Sequence, residues 1–153
     1  MRRKGRRIGS SSPSPHWPGL TAKDGNDLLI VLERCALMCC ESLDTFEAFH
    51  PFGVRLQDDD LLTLIGRPLP TSKDIDPLVW VYKHASMGAD NFKAVAIAHA
   101  AGDDNDPLMR IHCEHRAGRA FRVVVRWERL VDDKVRMKAP VVQPVDPVIW
   151  GAA

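Results

Sequence analysis

Residues Met109–Trp127 read MRIHCEHRAGRAFRVVVRW. The run places two imidazoles, a thiol and a carboxylate in four consecutive positions (His112, Cys113, Glu114, His115), followed by Ala117-Gly118 and a β-branched stretch. Successive side chains of a strand point to opposite faces. Met109, Ile111, Cys113 and His115 therefore share one face of a first arm, and Arg110, His112, Glu114 and Arg116 the other. The second arm sets Phe121, Val123, Val125 and Trp127 against Arg122, Val124, Arg126 and Glu128. A two-residue loop would pair Cys113 with Arg122 and mix charge into the apolar face, which is costly. A three-residue loop, Arg116-Ala117-Gly118, pairs Cys113 with Phe121 and Ile111 with Val123. It also puts a glycine at the left-handed position such loops require. Hydrophobic matching and turn chemistry select the same register. In that register the four polar residues cannot converge on one ion: Cys113 and His115 face the core, while His112 and Glu114 face outward.

Working outward, Asn91 to Ala101 (FKAVAIAHAA within it) has a period of two, with Ala94, Ala96 and Ala98 on one face, and GDDNDP forms a polar turn. VRMKAPVVQ is a further strand, confined by Pro140 and Pro144 to an edge position or an irregular tail. Upstream, Phe52, Val54 and Leu56 alternate with Gly53, Arg55 and Gln57. Asp58–Asp60 turn the chain, and Leu61–Arg67 return as a second strand. His50, before Pro51, has a turn role. Residues 26–43, NDLLIVLERCALMCCESL, form a helix capped by Asn26 or Asp27, with Leu28, Leu32, Cys35, Cys39 and Leu43 along one face. Residues 72–87 form a second helix. Asp76-Pro77 suits its start, Ile75, Leu78, Val79, Tyr82 and Ala85 its apolar stripe, and Gly88 its stop. Trp150 anchors the C-terminus by burial. The order α-β-β-α-β-β-β, with room for one more strand, gives an α+β fold: a single antiparallel sheet of five to six strands with two helices packed on one face.

Charge is unevenly spread. Residues 1–24 carry Arg2, Arg3, Lys4, Arg6, Arg7 and Lys23 against Asp24 alone; the remainder has 15 basic and 19 acidic residues. The basic segment is rich in Ser, Pro and Gly and reads as a disordered tail, leaving residues 25–153 as a single domain. MRRKGRRIG resembles the start of a signal peptide, but SSSPSPHWPG follows it instead of an apolar stretch. No run approaches a membrane span. Three of the four cysteines crowd into the first helix, unlike a disulfide framework, so reduced thiols and a cytoplasmic location are expected.

Cys35 and Cys39, one turn apart, could join Cys113 and His115 as a tetrahedral zinc set. Their spacing is not that of short zinc knuckles, and buried thiols commonly act as small hydrophobes, so core packing is the favoured reading. A Cys nucleophile would need an electropositive, partly exposed setting that two apolar layers do not provide. The Asp58–Asp60 run lacks calcium-loop spacing, and no glycine-rich phosphate loop or Ser/His/Asp motif is present. No catalytic residues and no cofactor are implied. The outward sheet face is more informative. It gathers Arg55, Arg67, Lys93, Arg110, Arg122, Arg126, Arg136 and Lys138 around Glu114, Glu128, His99 and His112, the balancing acids lying in turns. Arg110, His112, Glu114, Arg122, Arg126 and Arg136 are the candidate partner-binding residues. An ordinary solvated face would look similar. Base-stacking aromatics are missing, which argues against single-stranded nucleic-acid recognition.

The first helix, FHPFGVRL, IHCEHRAGRAFRVVVRW and the closing PVIW together resemble a group of small bacterial proteins of unknown function. That group has a Phe-Pro-Phe-Gly-like strand entry and a Glu-His-Arg-(Asp)-Gly hairpin; Ala117 stands where Asp is common. The element order is also similar to the profilin or roadblock layout, which implies an interaction scaffold. Three functions follow as expectations. The first is a non-enzymatic protein-interaction domain using the Arg-rich face, including self-association as a homodimer or an immunity-type role. The second is a metal- or ligand-binding domain built on the Cys/His cluster. The third is a nucleic-acid-associated factor acting through the basic tail.

Overall fold

The computed structural model describes residues 17–45, 49–66 and 76–150. Its elements are α1 (Ala22–Thr45), β1 (Phe52–Gln57), β2 (Leu62–Ile65), α2 (Pro77–Ser86), a 3-10 turn (Ala89–Asn91), β3 (Phe92–Asp103), β4 (Asp106–His115), β5 (Arg119–Arg129), β6 (Val135–Met137) and β7 (Val141–Val145). All the strands belong to one antiparallel sheet in the order β2-β1-β3-β4-β5. The far edge of β5 is shared by β7, along residues 120–124, and β6, along 127–129. The single antiparallel α+β sheet is therefore as expected, and VRMKAPVVQ resolves into two short edge strands with Pro140 between them. Pro144 sits in β7, which is bonded only to β5, where a missing N–H is tolerated.

The central hairpin has the expected register. Cys113 pairs with Phe121 and Ile111 with Val123, and Gly118 takes φ +91° in the three-residue turn. Val54, Leu56, Ala94, Ala96, Ala98, Met109, Ile111, Cys113, Phe121, Val123 and Val125 make the inner face. α1 lays Leu28, Val31, Leu32, Cys35, Ala36, Cys39 and Leu43 across it. The three alanines of β3 leave room for α1 to approach the sheet closely.

The layering departs from expectation. α2 packs on the opposite, outer face, where Val81 and Ala85 meet Ile65, Val95 and Ile97. The reason is in β3: Val95 and Ile97 make its outward positions as apolar as its inward ones, so this central strand demands cover on both sides. The buried stripe of α2 is rotated accordingly. Leu78, Val81, Tyr82 and Ala85 face the sheet and Val79 is exposed. Asp76 caps the helix as expected, accepting from the N–H groups of Leu78 and Val79 at 2.9 and 3.2 Å, with Pro77 in the first turn. Ile75, which was expected in the stripe, and Arg67 lie outside the described residues.

The domain reaches further toward the N-terminus than residue 25. Trp17 is buried edge-on against Phe121, and Leu20 packs on the same cluster. α1 starts at Ala22 because Thr21 caps it, its hydroxyl accepting from the Asp24 N–H at 3.1 Å. Asn26 and Asp27, expected as caps, are inside the helix. Residues 1–16 of the expected tail lie outside the described residues. Among the described residues no helix is long and apolar enough to cross a membrane.

Candidate functional site

The four residues considered for zinc do not come together. Cys35, Cys39 and Cys113 lie in the core between α1 and the sheet, and all four cysteines are free. Burial, with the proximity of Cys39 and Cys113, holds the Cys35 thiol well above its ordinary pKa; burial does the same to Cys39 and Cys113. They are thiols packed as apolar groups in the core, with burial holding them protonated. Cys40, half-buried, points at the Val135 carbonyl at 3.8 Å. Ellman titration of the native protein is expected to leave Cys35, Cys39 and Cys113 unlabelled over the time in which Cys40 reacts, with all four reacting in urea. Treatment with a chelator is expected to leave Tm unchanged; a mole equivalent of released zinc would contradict this.

His115 is buried in a different cluster. Its Nε2 lies 3.0 Å from Asp27 Oδ2 and 3.5 Å from Asp24 Oδ1, both on α1, and its Nδ1 accepts the Ala117 N–H at 3.0 Å. Lys93 reaches the same group, 3.7 Å from Asp27 and 2.7 Å from Asp60. The Asp60 hydrogen bond, opposed by burial and helped by Asp27, raises the Lys93 pKa above the ordinary value. Lys93 was expected on the outer face. The register of β1 with β3 slips between Leu56 and Gln57, inserting one residue into β3 and turning Lys93 toward α1. Asp24, Asp27 and His115 bring their ligand atoms within 4.8 Å of one another, the one such group among the described residues. The hydrogen bonds argue against a metal there. An Nδ1 that accepts a backbone N–H carries no proton, so a neutral ring has its proton on Nε2, facing Asp27. In this arrangement both ring nitrogens are engaged by the chain's own groups. The cluster ties the β4–β5 turn to the first turns of α1.

The outer face holds the other candidates. Glu114 is fully buried. Its carboxylate accepts three successive backbone N–H groups from the segment after β7: Val148 at 2.9 Å, Ile149 at 3.1 and 2.9 Å, and Trp150 at 2.7 Å. It also meets His112 Nε2 at 2.8 Å. Burial alone would raise its pKa, but the His112 and backbone hydrogen bonds outweigh burial and hold the carboxyl below its ordinary value. Trp150 completes the closure as a strap. Its indole N–H donates to the Ala89 carbonyl at 3.0 Å and its ring packs edge-on against Phe92. The expected anchoring by Trp150 is thus present, and its partner is the expected outward residue Glu114. That carboxylate is committed to the chain's own backbone and is not displayed on the surface.

The arginines divide into two groups. Arg55 lies over the Phe92 ring at 4.3 Å and donates to the Met87 carbonyl. Arg126 pairs with Asp106 at 3.2 Å, and Arg136 with Glu128. Arg110 and Arg122 are exposed and make no ion pair or hydrogen bond among the described residues. They lie on adjacent strands: His112 pairs with Arg122 and His99 with Arg110. Burial lowers the His99 pKa, helped by these two guanidiniums and against the pull of the Ala100 carbonyl. Beside Arg122 the strap and α2 border an open cleft to which Tyr82 and Asp146 contribute. Neither residue was singled out from sequence. Their only signal was position, Tyr82 on the α2 stripe and Asp146 before Pro147, and both acquire meaning only when α2 crosses to the outer face.

Comparison with protein-family models, with curated proteins and with solved structures finds no match.

Proposed function

We propose that this chain is a non-enzymatic, cytoplasmic interaction domain that receives an acidic protein partner on the open half of its outer sheet face, through Arg110 and Arg122. The observation that carries this reading is the contrast among the arginines. Arg55, Arg126 and Arg136 are satisfied by their own chain, whereas Arg110 and Arg122, exposed on the neighbouring strands β4 and β5, have no partner among the described residues. Exposed unpaired arginines of one sign raise the local concentration of an anionic partner and offer it a planar fork. Rigid strands hold them, and α2 with the strap frames the patch on one side. A His115 ring with both nitrogens engaged supports a non-enzymatic role, and buried neutral thiols support a reducing compartment. An immunity-type protein, which neutralises its target by covering it, would use such a face, and so would the interaction scaffolds the element order resembles.

The test uses a fluorescent Glu/Asp-rich peptide and the full chain at low ionic strength. Arg110→Glu with Arg122→Glu is expected to weaken binding by about tenfold or more, since each exposed charge contact contributes up to about 1 kcal/mol. Arg34→Glu, on the exposed side of α1, is expected to leave it within about twofold, as surface changes away from the contact do. Added salt is expected to weaken the wild type and not the double variant. Binding that the double variant retains at low and high salt rules the face out.

A further inference from the structure

Between α2, the middle of the sheet and the strap lies an open cleft of about 580 Å³. Tyr82 enters from α2, His112 from β4 and Arg122 from β5; the end of β7 (Pro144, Val145) and, after it, Asp146 and Val148 of the strap line the remaining side. Its volume is in the range of pockets that hold small ligands or one inserted side chain. The cleft has a pronounced division of chemistry. Arg122 and the Tyr82 hydroxyl are polar groups without a partner among the described residues. His112 is fixed by its bond to Glu114 and by its ring contact with Tyr82 at 5.6 Å. Pro144, Val145 and Val148 supply apolar surface.

We infer that this cleft binds a carboxylate: Arg122 takes its two oxygens, Tyr82 donates a further hydrogen bond, and the strap packs against the aliphatic stem. The inference rests on the reading of the outer face as acid-receiving and names the group that anchors the partner. Charge selects a monoanion over a phosphoryl dianion. One guanidinium lines the cleft, Arg110 stands outside it, and Asp146 on the strap adds a negative charge to its rim. A guanidinium fork matches two coplanar oxygens, whereas a phosphoryl group would bring about two charges against that single cation. The hydroxyl remains a donor throughout the physiological range: burial, with Glu114 and Cys113 and against Arg122, keeps the Tyr82 pKa pushed up to about 12. The buried Glu114 is itself held by four donors, so it does not compete for Arg122.

The experiment is an amide-resolved NMR titration of the full chain with three probes: N-acetyl-glutamate α-amide, N-acetyl-leucine and inorganic phosphate. At least one carboxylate is expected to shift the amides of Arg122 and Val148 saturably, and which one does so distinguishes a side-chain from a chain-terminal carboxylate. Arg122→Gln is expected to raise Kd by about tenfold or more, and Tyr82→Phe by about threefold to tenfold, the loss of a charged fork and of one hydrogen bond respectively. The neutral N-acetyl-glutamine α-amide is expected not to bind. Three results overturn the assignment: no carboxylate shifting the cleft, phosphate binding more tightly than both carboxylates, or Arg122→Gln retaining affinity. The two readings fail separately. If the acidic peptide depends on Arg110 and Arg122 while small carboxylates leave the cleft unmoved, the anchor is wrong and the surface stands. If the carboxylates bind through Arg122 while the peptide ignores the double reversal, the anchor stands and the partner surface is wrong.

Discussion

Glu114→Ala is expected to lower the unfolding free energy by about 3–5 kcal/mol, the range for removing one partner from a buried, fully hydrogen-bonded charge site. Three backbone N–H groups and His112 lose their common acceptor at once. The remaining contacts of the strap are the packing of Ile149 and Trp150 on the α2 cluster and the Trp150 indole bond to Ala89. Urea denaturation measures the loss, and hydrogen exchange locates it: amides 148–150 should lose protection ahead of the β4–β5 ladder. Full protection of those amides in the variant would show that the strap is held by its side chains and not by the carboxylate. Glu114→Gln, which keeps one acceptor oxygen, should cost less, about 1–3 kcal/mol.

The same carboxylate sets an acid limit. Its folded pKa is below the unfolded value, so its stabilisation is fully present above the ordinary glutamate pKa of about 4.3. It is lost as pH falls through the lower, folded value. The wild type should therefore lose strap protection in that acid window, and the Gln variant should show no such step. A step of equal size in both would assign the acid transition to another group.

Asp27→Ala is the second large effect, expected at about 2–4 kcal/mol, because it leaves the buried His115 Nε2–H without its main acceptor and removes one of the two carboxylates facing Lys93. His115→Ala removes the other side of the same bond and frees the Ala117 N–H. A double-mutant cycle between the two positions should return a coupling of about 1–3 kcal/mol. The ring itself gives an independent check. Long-range proton–nitrogen correlation should show the Nε2–H tautomer at neutral pH, unchanged by added zinc. An Nδ1–H tautomer, or zinc-dependent shifts, would restore the metal reading of this cluster.

How much of this was legible in the sequence depends on how local the deciding physics is. The β4–β5 register was legible because alternation and Gly118 act within nineteen residues, and both agree. The side of the sheet that α2 covers was not, because the signal is shared: Val95 and Ile97 read as ordinary strand residues until their helix is in place. The start of α1 was hidden by composition. Thr21 and Asp24 cap a helix, but they sit at the end of a Ser, Pro and Gly-rich segment that draws the boundary too late. Lys93 was misplaced because one inserted residue reverses facing, and a bulge leaves no mark in a strictly alternating pattern. Glu114 was correctly turned outward, but its partners lie 34 to 36 residues downstream in a segment with no periodicity. Of the candidate partner residues, alternation placed Arg110 and Arg122 outward, where both are exposed. It could not show that Arg126 and Arg136 have acids at hand: Asp106, read as part of a polar turn, opens β4 beside Arg126, and Glu128 faces Arg136 across the β5–β6 rungs.

The strap also orders events during synthesis. The ribosome delivers α1 and the first five strands before residues 148–150 exist, and the helix–sheet core can form as they emerge. At that stage Glu114 is a charge on an apolar surface beside α2, with His112 as its one side-chain donor. A chain cut back to Arg129 would lack the three backbone donors of Glu114 and both strands that pair with the far edge of β5. The outer face is complete only once residues 148–150 lie on Glu114, and until then its carboxylate marks the open side.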